Sequence, residues 1–153
     1  MPLFFRSGIP FAVGSLPYSY RPESPPLDIP KLFVQVQVDG KAVEALVDTG
    51  AQFFICSPAV ARYLGLEDAD AVGTERLNIR GTIITGALHR VELTLQADEG
   101  EGLSLDVTAF VPQATDEEVL GDISCFLGMF CCLERLRFAI DPSTEMFYFG
   151  DIS

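Results

Sequence analysis

The chain has 153 residues, 48% of them apolar, enough for one domain with a sizeable core. Ten basic residues against twenty-two acidic ones leave a net charge of −12, and no apolar run approaches the ~18 residues of a membrane span. This balance argues against a nucleic-acid partner and against an anionic membrane surface, since both need a basic face.

Residues 1–29 carry Pro2, Pro10, Pro17, Pro22, Pro25 and Pro26 and show no hydrophobic period. They are expected to form a proline-rich N-terminal arm or leader, with the domain proper over 30–153. No basic run precedes an apolar stretch, so the segment does not read as a signal peptide. Order is predicted to begin with "KLFVQVQV", where Leu32, Val34, Val36 and Val38 alternate with Phe33, Gln35 and Gln37. Asp39-Gly40 is a two-residue hairpin signal, and the return strand "KAVEALV" delivers the chain to Asp48. "QFFIC" reads as a short strand. "SPAVARYLGL" reads as a short helix with Ser57 as N-cap, Pro58 at its first position and Gly65 as its stop.

Residues 75–97 alternate again, with "TERLNIR" and "LHRVELTLQ" flanking "GTIITG". After the acidic turn "ADEGEG", "LSLDVTAFVP" is a further strand, and "QATDEEVLGD" is a polar connection. "FLGMFCCLERLRF" is read as apolar and then helical, from the near-helical spacing of Phe126, Phe130, Leu133 and Leu136. "RFAID" and "MFYFG" close the chain as a hairpin. Strand signals outnumber helical ones, which predicts an all-β barrel or sandwich with one or two short helices.

Cys56, Cys125, Cys131 and Cys132 have no framework spacing and lie in apolar contexts, so they read as reduced core thiols of a cytoplasmic protein. A metal site is not expected, because His89 is the sole histidine and no CxxC pair exists. No cofactor is implied. His89 reads as a strand-surface residue, and Cys125 or Cys132 would lack a histidine base to act as a nucleophile. Asp141 before Pro142 reads as a turn-former, and Asp122 as a cap. Glu99, Glu101, Asp116, Glu117 and Glu118 read as solvated surface.

The stretch "ALVDTGAQFFIC", residues 45–56, is different: a single acid interrupts two apolar runs. An Asp before Thr-Gly commonly caps a turn. Apolar flanks, however, tend to desolvate a carboxyl, which raises its pKa and makes Asp48 a candidate acid or base. Gly50 lets the backbone turn sharply and admits a close neighbour.

At these residues the sequence resembles the retropepsin-like aspartic proteases, whose hallmark is Asp-Thr/Ser-Gly-Ala after an apolar strand. "FLGM" at 126–129 resembles the family's second signature. "LERLRFAIDPSTEMFYFG" resembles the segment that follows it. "VQVDGKAVEALVDTGAQFFICSPAVARYLGL" is similar to bacterial members in particular, and the match spans roughly 31–150. The resemblance implies a closed acid-protease barrel in a symmetric homodimer that hydrolyses extended peptides. Each subunit would supply one Asp48, the two carboxylates sharing a proton while one activates a water. Since the chain holds a single Asp-Thr-Gly, dimerisation would complete the site.

The resemblance further implies that the Thr49 hydroxyl bonds to the partner's backbone and that Gly50 keeps the carboxylates coplanar. Gly128 would pack close behind the turn, and Ala51 would touch substrate. "NIRGTIITGALHR" is the implied flap, with Gly81 and Gly86 bracketing Thr82, Ile83, Ile84 and Thr85 over the substrate. Met129 stands where retroviral members commonly have Arg or another polar residue. The rival reading is a catalytically weak or inactive dimerisation or peptide-binding module of the same fold.

Overall fold

Strands dominate the computed structural model, which describes residues 3–23, 29–113 and 123–152. They are β1 (Gly14–Pro22), β2 (Pro30–Val38), β3 (Lys41–Val47), β4 (Phe54–Ile55), β5 (Gly73–Ile79) and β6 (Thr82–Leu95), followed by β7 (Glu99–Gly100), β8 (Leu103–Pro112), β9 (Cys125–Leu127), β10 (Leu136–Asp141) and β11 (Met146–Asp151). One α-helix, α1 (Pro58–Leu64), lies between β4 and β5. Among the described residues the strands form one sheet in the order β10-β11-β1-β2-β3-β9-β4-β8-β6-β5, with β7 on β1. The pairing path from β2 through β3, β9, β4, β8 and β6 returns to β2, through Gln37↔Thr94 and Val38↔Leu93.

Local chemistry explains the first turns. Asp39 and Gly40 have φ of 49° and 82°, the pair of left-handed residues that a two-residue hairpin turn requires, and Val38 pairs with Lys41. The Asp39 carboxylate also accepts the Glu92 N–H at 2.9 Å, tying the turn to β6. Helix α1 starts and stops as its residues dictate. Ser57 accepts the Val60 N–H, Pro58 opens the first turn, and Gly65 ends it at φ 73°.

Two apolar clusters result. The larger gathers Val34, Val36, Val38, Phe54, Val107, Leu133, Phe147 and Phe149 with α1. The smaller joins Phe33, Leu46, Ile55, Leu77, Ile79, Ile84, Phe110 and Phe126.

Four expectations need correction. Part of the proline-rich segment is built into the sheet: β1 pairs with β11 over Gly14–Pro17 and with β2 over Tyr18–Pro22. Pro17 sits where β1 changes partner, so its missing N–H leaves no gap inside a ladder. The stretch 126–136 is not helical. Phe126 and Leu127 lie in β9, buried between β3 and β4, and only Leu133–Arg135 coils, as a 3₁₀ turn. Thr82 to Thr85, between the two glycines of the implied flap, do not form its tip, since β6 runs unbroken from Thr82. His89 is 3% exposed rather than on the surface, and its Nε2 has no hydrogen-bond partner. The polar connection "QATDEEVLGD" from 114 onwards, with Asp116, Glu117, Glu118 and Asp122, lies outside the described residues.

All four cysteines are free thiols. Cys56 and Cys125 are buried and hydrogen-bonded to each other, and the Cys125 Sγ also accepts the Ser57 N–H at 3.4 Å. The bond from Cys56 and then those from Ser57 favour the Cys125 thiolate against the effect of burial, lowering its pKa.

Candidate active site

The Asp48 turn is held by backbone from both flanks. Val47 pairs in parallel with Leu127, and the Asp48 N–H donates to the Leu127 carbonyl at 3.0 Å. The Ala51 N–H donates back to the Asp48 carbonyl at 3.1 Å, closing the turn. On the far side, Met129 N–H bonds to the Ala51 carbonyl at 2.8 Å, and Gly128 N–H bonds to the Phe53 carbonyl at 2.8 Å. A Cβ on Gly128 would run into the Phe53 carbonyl and come within 2.8 Å of the Ala51 carbonyl. Only glycine fits there.

This frame orients the acid itself. Asp48 Oδ1 accepts the Gly50 N–H at 2.9 Å, which fixes the carboxyl plane relative to the turn. Asp48 is half-buried, while Thr49 and Gly50 are exposed. The turn therefore opens at the molecular surface instead of lying in a sealed apolar pocket. Beside it, Gln52 bridges to Phe130, whose ring is 50% exposed and stacks edge-on against Phe53 at 5.4 Å.

Asp48 borders a cleft of about 570 Å³. Apolar Leu46, Ile55, Leu77, Ile79 and Phe126 wall it, all members of the smaller cluster. The β5–β6 hairpin forms one side. Its turn is Arg80-Gly81, with φ of 53° and 87°, and Asn78 Oδ1 accepts the Gly81 N–H at 2.9 Å. Gly81 is therefore the tip.

The cleft gathers Asp48, Gly50 and Ala51, and the hairpin lines it with Arg76 to Arg80. Thr82, Ile83, Ile84, Thr85 and Gly86 are not on its lining. Thr82 and Ile83 are exposed, whereas Ile84 and Gly86 are buried, with the Phe110 ring where a Gly86 side chain would go. Lys31, Arg76, Asn78 and Arg80 are lining residues that sequence reasoning did not single out. Strand alternation in "RLNIR" was the available signal, because it extends the first hairpin strand right up to Gly81.

A family model described as "gag-polyprotein putative aspartyl protease" matches residues 34–124. A search of curated proteins finds no match. Among solved structures, the chain is similar to a retropepsin-like aspartic protease from Rickettsia conorii, at 20% identity and TM-score 0.53, covering 91% of this chain and 94% of that one. It is also similar to the EIAV protease complexed with the inhibitor HBY-793, at 14% identity and TM-score 0.49, covering 72% and 86%. The retroviral protease-like domain of Ddi1 from Leishmania major aligns at 19% identity and TM-score 0.47, covering 80% and 90%. With the family match running across the Asp48 turn and the hairpin, the chain belongs to the retropepsin-like aspartic proteases.

Proposed function

We propose that the chain is a homodimeric aspartic endopeptidase acting on extended peptides with apolar side chains. Two Asp48 carboxylates, one per subunit, share a proton: one activates a water and the other donates to the scissile carbonyl oxygen. Like charges so close cannot both ionise cheaply, so the pair titrates as a unit and activity follows a bell in pH. The chain charge of −12 predicts a mildly acidic optimum that added salt shifts.

In this reading Asp48, Thr49 and Gly50 form the catalytic turn, with Thr49 bonding to the partner's backbone. Ala51 touches substrate, and the β5–β6 hairpin is the flap, with Gly81 at its tip and Thr82 to Gly86 behind it. The returning strand path supports a closed barrel as the frame. Unpaired cysteines fit a reducing compartment, the cytoplasm.

The observation that carries the reading is the surface-facing Asp48 turn, fixed by backbone on both sides and opening on an apolar-walled cleft. Half-exposed Phe130 beside it supports a partner subunit at this surface, since an exposed aromatic next to such a turn is a natural contact. The test has two parts. Light scattering should give the mass of a dimer. Purified protein should cut an extended apolar peptide, a statine-type transition-state mimic should inhibit the cut, and Asp48→Asn should abolish it. A monomer, or cleavage indifferent to both the mimic and the substitution, rejects the reading.

A further inference from the structure

The charges around the cleft run against the charge of the chain. Acids outnumber bases by twenty-two to ten overall, yet among the described residues Asp48 is the one acid on the cleft lining, which also holds Lys31, Arg76 and Arg80. Lys31 stands at the start of β2, and Arg76 and Arg80 stand on the hairpin, so basic groups come from two separate elements. Among the described residues neither Lys31 nor Arg76 has an ion-pair partner. A strongly acidic chain that leaves cations unpaired around one cleft presents a local positive potential there.

Arg80 shows what such a group attracts. Its guanidinium donates to both carboxylate oxygens of Glu23, the residue directly after β1, and lies 5.4 Å from the Phe126 ring centre. The Glu23 side chain is 6% exposed although Arg80 is 52% exposed. The chain thus already lodges one carboxylate of its own at the rim of the cleft, with both of its oxygens on one guanidinium nitrogen, Nη2.

We infer that this cleft selects peptides bearing acidic side chains beside an apolar segment, with Lys31, Arg76 and Arg80 as the specificity-determining cations. The inference rests on the proposed peptidase reading and adds the substrate class. Apolar side chains of the peptide meet Leu46, Ile55, Leu77, Ile79 and Phe126. Its carboxylates meet Lys31 and Arg76 directly, and reach Arg80 by displacing Glu23. Glu23 is then an internal competitor for the same charge.

The experiment compares two extended apolar peptides that differ only by Glu or Gln near the scissile bond. Full-length protein should show kcat/KM roughly three- to tenfold higher for the Glu peptide at low ionic strength, the ratio falling towards one as salt screens the cations. Lys31→Gln and Arg76→Gln should each lower that ratio. Glu23→Gln should raise it, a sign that damage to folding would not produce. A ratio at or below one, or one unmoved by the Lys31 and Arg76 substitutions, overturns the inference even when both peptides are cut. Binding of the same fluorescent peptides to the Asp48→Asn protein separates the two claims. Tighter binding of the Glu peptide without any cleavage by the unsubstituted protein supports the acidic preference and rejects the peptidase. Equal binding without cleavage rejects both.

Discussion

The Asp48 turn and the tip of the β5–β6 hairpin border the same cleft but are held in opposite ways. Backbone bonds from β9 and the residues after it lock the turn, and the glycine behind it leaves no room for a methyl group. Among the described residues the hairpin tip is held by the Asn78 to Gly81 bond and by Arg80, which pairs with Glu23 and lies over the Phe126 ring. A Cβ added at Gly81 would meet nothing within 4 Å. The comparison separates two demands on a site of this kind. In the proposed function the acid must keep its position to a fraction of an ångström, whereas the hairpin must let a chain pass beneath it.

Substitutions can break or sharpen this contrast. The largest effect is expected for Asp48→Asn, which keeps the acceptor for the Gly50 N–H but removes the shared proton. Peptide hydrolysis should fall at least about 10³-fold, within the range for loss of an acid–base group, while the melting temperature stays close to that of the parent. Gly128→Ala tests the rigid side. Its methyl group collides with two carbonyls, and a loss of about 3 kcal/mol should appear in denaturant unfolding. A loss below 1 kcal/mol would mean that the turn yields.

Gly81→Ala tests the loose side. Holding alanine in the left-handed region costs about 1 kcal/mol, so thermal unfolding should shift only slightly. Hydrolysis should suffer more than stability does, and the reverse ranking would erase the contrast. Asp141, the last residue of β10 and far along the chain from both regions, sets the smallest effect. Its carboxyl is held below the usual range by the Ser143 hydroxyl and then by the Ser143 N–H. A depressed carboxyl stabilises the fold above its ordinary pKa, and that contribution disappears as pH falls through the depressed value. Asp141→Asn should therefore melt slightly below the parent at neutral pH, and the gap should close in strong acid.

Much of this arrangement was legible in the residues. Asp39-Gly40 predicted its turn because both positions tolerate left-handed backbone, and Ser57, Pro58 and Gly65 predicted α1 for equally local reasons. The apolar flanks of Asp48 pointed to the site, although they implied deeper burial than the half-exposed turn shows. The hairpin tip was harder to place. Two glycines compete in "GTIITG", and Arg-Gly lacks the Asn or Asp that usually marks such a turn. Gly86 turns out to make way for the Phe110 ring rather than to form a loop. "FLGMFCC" misled because an apolar run buried on both sides has no period to distinguish strand from helix. β1 was hidden by its prolines, which the sheet accommodates only because the strand changes neighbours at Pro17.

The position of β11 has a bearing on assembly. Both of its edges are already occupied, one by β10 and the other by β1, so no hydrogen-bonding row is left there for a second molecule to extend. Along the main strand order the outermost strands are β10 and β5, and β5 belongs to the hairpin beside the cleft. Two copies that zipped together through β5 would tether the hairpin that, as the proposed flap, has to lift. Association by way of β10, or through side chains flanking the Asp48 turn, leaves it unencumbered.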